Sequence, residues 1–140
     1  MVQFPEGIPI HSFEYRLRSR YSETDKMGYV YYGRYLEYFE EARTEMIRSL
    51  GVSYGSMEND GIMLPVVHSE IDYKHPLFYD EKILIKVHLY SEPSIRLLTY
   101  YEVIAQQRNQ LCALGEVTLV FINATTRKPC RAPKYLLNAL

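Results

Sequence analysis

One stretch of the chain, about Tyr32 to Leu50, repeats its apolar residues with the period of a helix, and it is set among segments that read as strands. A single long amphipathic helix cannot bury its apolar stripe alone, so the rest of the chain must supply a sheet to cover it. Before the helix, Phe13 to Tyr21 alternates Phe13, Tyr15, Leu17, Ser19 and Tyr21 with Glu14, Arg16, Arg18 and Arg20, the pattern of a half-buried strand. After Gly51, which suits the left-handed position that ends a helix, a polar connection runs to Gly61. Four more strand-like stretches follow: about Ile62 to Tyr73, Lys82 to Tyr90, Leu97 to Gln106 and Leu111 to Ile122. The links between them are short, which favours antiparallel neighbours. The pattern predicts an α+β fold occupying residues 1–140 as one domain, since 140 residues leave no room for a second.

On the helical wheel Leu36, Phe39, Met46, Ile47 and Leu50 cluster, with Glu37, Glu41, Glu45 and Arg48 elsewhere. Glu40 and Arg43 fall inside the apolar stripe. Their i, i+3 spacing predicts a buried ion pair holding the helix to the sheet or to a partner subunit, with a catalytic Glu40 as the alternative.

Charge and composition exclude several classes. Sixteen Lys and Arg against seventeen Asp and Glu leave a net charge of −1, without the positive field a nucleic-acid partner requires. No apolar run reaches the roughly 18 residues of a transmembrane segment, and Met1 to His11 lacks the pattern of a secretory signal. Cys112 and Cys130 form no CxxC pair, which suits a reducing compartment; a cytoplasmic protein is expected. There is no glycine-rich phosphate loop and no G-x-S-x-G elbow. The histidines lack HxxxH spacing, although alternation places His68, Glu70 and Asp72 on one strand face; no metal or other cofactor is expected.

The densest run of unusual residues, Tyr21 to Tyr35, joins the first strand to the helix. Asp25 and Gly28 suit the first and fourth positions of a type I turn, in which Asp25 is simply a turn-former. A second reading begins from the helix start. Around Tyr31 to Gly33 no Ser, Thr, Asp or Asn is present to cap the first backbone N–H groups, so these donors are free to receive a ligand oxygen. Such donors beside a carboxylate are the minimum parts for acyl transfer. Near the other end, Arg127, Lys128, Arg131 and Lys134 gather in an acid-free stretch. They form either a solvated loop or a grip on phosphates.

The run Arg20-Tyr21-Ser22-Glu23-Thr24-Asp25-Lys26-Met27-Gly28-Tyr29-Val30-Tyr31-Tyr32, followed by Tyr35-Leu36-Glu37-Tyr38-Phe39-Glu40-Glu41-Ala42-Arg43, resembles the 4-hydroxybenzoyl-CoA thioesterase-like family of hotdog-fold acyl-CoA thioesterases. Tyr73, Pro76, Asp80 and the Arg127 to Pro133 stretch are more loosely similar. The resemblance implies a central helix wrapped by a curved antiparallel sheet of about five strands, in homodimers or homotetramers whose sites form between subunits. It implies that Asp25 acts on the thioester, as nucleophile or as general base, and that the Tyr32 N–H holds the carbonyl oxygen. Lys128 and Arg131 become the candidates for the substrate's phosphates. The expected substrate is an acyl-CoA or acyl-carrier thioester. The alternative is a hotdog module that binds such a thioester without hydrolysing it.

Overall fold

A computed structural model describes all 140 residues. Strand β1 (His11–Arg18) leads through a 3-10 turn (Tyr21–Glu23) to the long helix α1 (Arg34–Ser49). Then come α2 (Tyr54–Asn59), β2 (Ile62–Met63), β3 (Val66–Tyr73), β4 (Lys82–Leu89), β5 (Arg96–Ala105), β6 (Gln110–Val120), β7 (Ile122–Asn123) and α3 (Lys134–Ala139). Five strands form one antiparallel sheet in the order β1-β4-β5-β6-β3, while β2 and β7 pair separately. A long helix packed on a five-stranded antiparallel sheet is the hotdog arrangement.

The buried stripe of α1 is Tyr35, Tyr38, Phe39, Ala42, Arg43, Met46 and Ile47, a regular i, i+3, i+4 series. Its axis lies one residue back from the expected one, so that Leu36 is 43% exposed and Glu40 is also in solvent. The expected Glu40–Arg43 ion pair does not form. Arg43 instead donates to two tyrosine hydroxyls, Tyr54 at 3.0 Å and Tyr101 at 2.9 Å. The wheel treated both charged residues as one feature; a rotation of the buried axis separates them.

At the centre, the Phe39 ring stacks on Tyr101 with centroids 4.2 Å apart and planes 14° from parallel. Gly115, beside Tyr101 on β6, makes this possible: a Cβ there would sit 2.4 Å from the Phe39 ring.

The expected strand boundaries shift where side chains turn the backbone. β1 ends at Arg18 because Ser19 turns inward, donating to the Phe78 carbonyl and accepting from the Glu81 N–H. The strand expected from Ile62 to Tyr73 breaks at Pro65, which cannot donate to a ladder. Two short helices appear besides the expected elements, the first within the connection expected from Gly51 to Gly61. α2 starts at a Ser53–Ser56 capping pair, in which each hydroxyl accepts from the other's N–H, and α3 follows Pro133.

Candidate functional site

The turn that Asp25 opens is closed by its own side chain. Gly28 N–H donates to the Asp25 carbonyl at 3.0 Å, and the Asp25 N–H donates to the Tyr29 carbonyl at 2.8 Å. Carboxylate atom Oδ1 accepts from the Met27 N–H at 2.8 Å and the Tyr29 N–H at 3.2 Å. Gly28 takes φ +82°, a conformation that side chains disfavour. The turn-forming role of Asp25 is therefore realised through Oδ1. Its second oxygen, Oδ2, makes no hydrogen bond within the chain.

The turn is fastened to the scaffold on both sides. Val30 N–H donates to the Leu77 carbonyl, and Tyr29 bridges to Phe78. Glu23 links turn to helix: its carbonyl accepts from the Tyr31 N–H at 2.7 Å, and its Oε1 accepts from the Tyr38 hydroxyl at 2.8 Å. Burial and this carboxylate together push the Tyr38 hydroxyl's pKa well above the usual tyrosine range.

At the helix start, Gly33 occupies the cap position with no side-chain hydrogen bond. Neither the Tyr32 nor the Gly33 N–H donates within the chain. These donors stand at the positive end of the α1 dipole. Tyr31, Tyr32 and Tyr73 surround them, with Tyr31 and Tyr32 rings 4.5 Å apart and Tyr32 and Tyr73 6.3 Å apart. Gly33 admits this packing, because a Cβ there would lie 2.8 Å from the Tyr31 ring.

One turn further along α1, beginning at Leu36, a cavity of about 1000 Å³ opens between α1, α2 and β3. Leu36, Met57, Leu64, Val66 and Leu119 are among the apolar residues of its wall, with Arg43 and Arg127 also reaching it. Leu36, where the cavity begins, follows Tyr32 by four residues, so the unpaired amides precede the cavity by about one helical turn.

Lys128 and Arg131 are exposed, have no acidic partner, and neither lines this cavity nor bonds to the Asp25 turn. Arg127, held at φ +61°, is the cation of that stretch that reaches the cavity. Its proximity depends on the β2–β7 pairing, which sequence spacing does not reveal.

On the other face of the sheet, donor atoms of His68, Glu70 and Glu116 converge within 4.8 Å. The third member is Glu116 from the neighbouring strand, whereas Asp72 accepts from the Val2 N–H. His68 lies 3.4 Å from Glu116, and the amino terminus 3.2 Å from Glu70.

Residues 19–140 match the family model of the thioesterase-like superfamily. The chain is 42% identical over 76 residues to YneP of Bacillus subtilis (strain 168), a candidate acyl-CoA thioesterase, covering 54% of this chain and 55% of YneP. It therefore spans about half the length of that relative. A longer match, 27% over 125 residues, covers 89% of this chain and 92% of the acyl-CoA thioester hydrolase YbgC of Escherichia coli O157:H7. Among solved structures, a DHNA-CoA thioesterase from Staphylococcus aureus superposes with TM-score 0.82 at 36% identity, over 89% of this chain and 83% of that one.

Proposed function

The chain belongs to the thioesterase-like superfamily, and from that membership and the geometry of the helix start we infer that it hydrolyses acyl-CoA thioesters to a free acid and CoA. The observation that carries this reading is the pair of unpartnered N–H groups at Tyr32 and Gly33, one turn from an apolar cavity and joined by a short loop to Asp25. The Tyr32 N–H receives the thioester carbonyl oxygen and stabilises the negative charge that grows on it, a contribution worth about 10²- to 10³-fold in rate. Asp25 acts through Oδ2, either taking a proton from the attacking water or attacking the carbonyl carbon itself. When the tetrahedral intermediate collapses, the carbon–sulfur bond breaks and the CoA thiolate leaves to be protonated; on the nucleophilic route the acyl group stays on Asp25 as a mixed anhydride, which water then hydrolyses to the free acid and the restored carboxylate. The names of the YbgC and S. aureus relatives support this chemistry.

Lys128 and Arg131 are assigned to the phosphates of CoA, since both are exposed cations without a competing acid. Strand β3 is an edge of the sheet with Val66 and Val67 exposed, and we assign it to the seam of a homodimer or homotetramer. A cytoplasmic location agrees with two free cysteines and with the absence of any helix long and apolar enough to cross a membrane.

Asp25→Asn tests the mechanism cleanly. The amide oxygen can still accept from Met27 and Tyr29, so the turn is retained while the charge is lost. Thiol release from a panel of short, long and aromatic acyl-CoAs should fall about 10²- to 10⁴-fold in kcat with little change in substrate affinity. Near-normal turnover by the folded variant would remove Asp25 from the reaction.

A further inference from the structure

Arg43 is the one charged residue of the buried α1 stripe, and it is only 5% exposed. Its Nε donates to the Tyr54 hydroxyl at 3.0 Å and its Nη1 to the Tyr101 hydroxyl at 2.9 Å. Tyr101 shares a 2.7 Å hydrogen bond with Thr99, whose hydroxyl donates to the Val117 carbonyl at 2.8 Å. Every acceptor in this network is neutral, and no carboxylate lies within ion-pairing distance of the guanidinium. A buried charge without a counter-charge is costly, and proteins keep such groups paired.

The remaining nitrogen, Nη2, makes no hydrogen bond within the chain. It is not sealed away, because the only side-chain nitrogen or oxygen both buried and unpartnered is Nε2 of His11. The space left for it is the cavity beside α1, whose wall Arg43 and Tyr54 share. Glu37, Glu40 and Glu58 also border this space, but they are solvent-exposed and none pairs with Arg43.

We propose that this cavity holds the acyl group of the thioester and that Arg43 selects acyl groups ending in a carboxylate, the monothioesters of dicarboxylic acids. The assignment rests on the thioesterase reading above. Arg43 is nine residues beyond Arg34, roughly 14 Å along the helix axis. Tyr32 lies two residues earlier still, about 16 Å from Arg43 at the same rise, and the Arg43 side chain leans back toward the helix start by about 6 Å, which leaves roughly 10 Å between the guanidinium and the Tyr32 amide. An extended chain of about eight carbons spans that distance. The apolar wall takes its methylenes, and the guanidinium presents its donors to the terminal carboxylate.

Thiol release from octanedioyl-CoA and from octanoyl-CoA, measured on the same preparation, tests the proposal. The two esters differ only at the distal end, so a partly unfolded preparation leaves their ratio unaltered. Wild-type enzyme should favour octanedioyl-CoA at least tenfold in kcat/KM. Arg43→Gln should lower that ratio at least tenfold, and Arg43→Lys, which keeps the charge, should retain part of it. Equal or better turnover of octanoyl-CoA by the wild type overturns the assignment, whether or not the Gln variant folds; so does an unchanged ratio in a folded Gln variant. Inertness toward these two and toward short, long and aromatic acyl-CoAs overturns the thioesterase reading itself, and the selectivity with it.

Discussion

The Tyr73 hydroxyl donates to the Tyr32 carbonyl oxygen across 3.0 Å, so the end of edge strand β3 holds the peptide unit at the start of α1. That carbonyl belongs to the residue whose N–H is assigned to the thioester oxygen. The contact fixes the plane of the Tyr32–Gly33 peptide, and with it the direction of the Gly33 N–H, the unpartnered donor next to the assigned one. Tyr73→Phe keeps the ring against Tyr35, 5.0 Å away, and removes only this hydrogen bond. The expected outcome is a fall in kcat of about tenfold with KM little changed, and a stability loss of about 0.5–1.5 kcal/mol. Steady-state kinetics and urea titration read the two effects separately.

Gly115 lets sheet and helix approach closely, with an added Cβ lying 2.4 Å from the Phe39 ring. Phe39 is fully buried and stacked on Tyr101, so it has no open direction in which to retreat. Gly115→Ala should destabilise the fold by about 1–3 kcal/mol, seen as a lowered denaturation midpoint. Gly115→Ala with Phe39→Leu should recover part of that loss, because the shorter side chain vacates the contested volume.

The sequence carried most of the architecture because period is a local property. The α1 stripe, the alternation of β1 and the four later strands are all set by neighbours within a turn or two along the chain. The Asp25–Gly28 turn and the uncapped helix start were legible for the same reason, since turn and cap chemistry depend on adjacent residues. What was not legible depends on residues distant in sequence. Arg43 meets Tyr54 and Tyr101 only after α2 and β5 close around it, and spacing alone made Glu40 its natural partner. Arg127 reaches the cavity only because β2 pairs with β7. Leu36 was expected in the core because a wheel fixes the angle between residues but not the axis that faces the sheet.

His88 bridges two strands on the sheet face away from α1: Ser12 lies 2.7 Å from its Nδ1 and Glu102 2.7 Å from its Nε2. The hydrogen bond from His88 holds the Glu102 carboxyl below its ordinary value, with the histidine's charge adding to the effect against partial burial. A carboxyl whose pKa is lower folded than unfolded stabilises the protein above the unfolded value. That stability is lost as pH falls through the folded value, so the window lies below about pH 4.5. Glu102→Gln should therefore flatten the acid limb of a plot of Tm against pH and lower Tm near neutrality. A parallel acid limb in the variant would show that Glu102 contributes nothing to the pH dependence.

Arg108 and Glu81 support the Asp25 turn through the loop it packs against. Arg108 donates from Nε to Glu81 Oε1 at 2.6 Å and from Nη2 to Oε2 at 3.0 Å, and Nη2 also reaches the Pro76 carbonyl at 3.0 Å. Glu81 Oε2 accepts from the Phe78 N–H, while the Glu81 N–H donates to Ser19. Residues 76–81 are thereby held in the position from which Leu77 and Phe78 meet Val30 and Tyr29 of the turn. Glu81 is only 8% exposed, so removing its partner leaves a nearly buried carboxylate without its main counter-charge. Arg108 itself is more than a third exposed, which lets water soften the loss. Arg108→Met should cost about 1–3 kcal/mol in stability. Because the displaced loop carries the turn with it, the folded fraction should also lose about tenfold in kcat. Arg108→Lys, which keeps one charge but not the two-pronged contact, should recover most of the stability and less of the rate. Loss of stability with kcat of the folded fraction unaltered would confine the pair to a structural role.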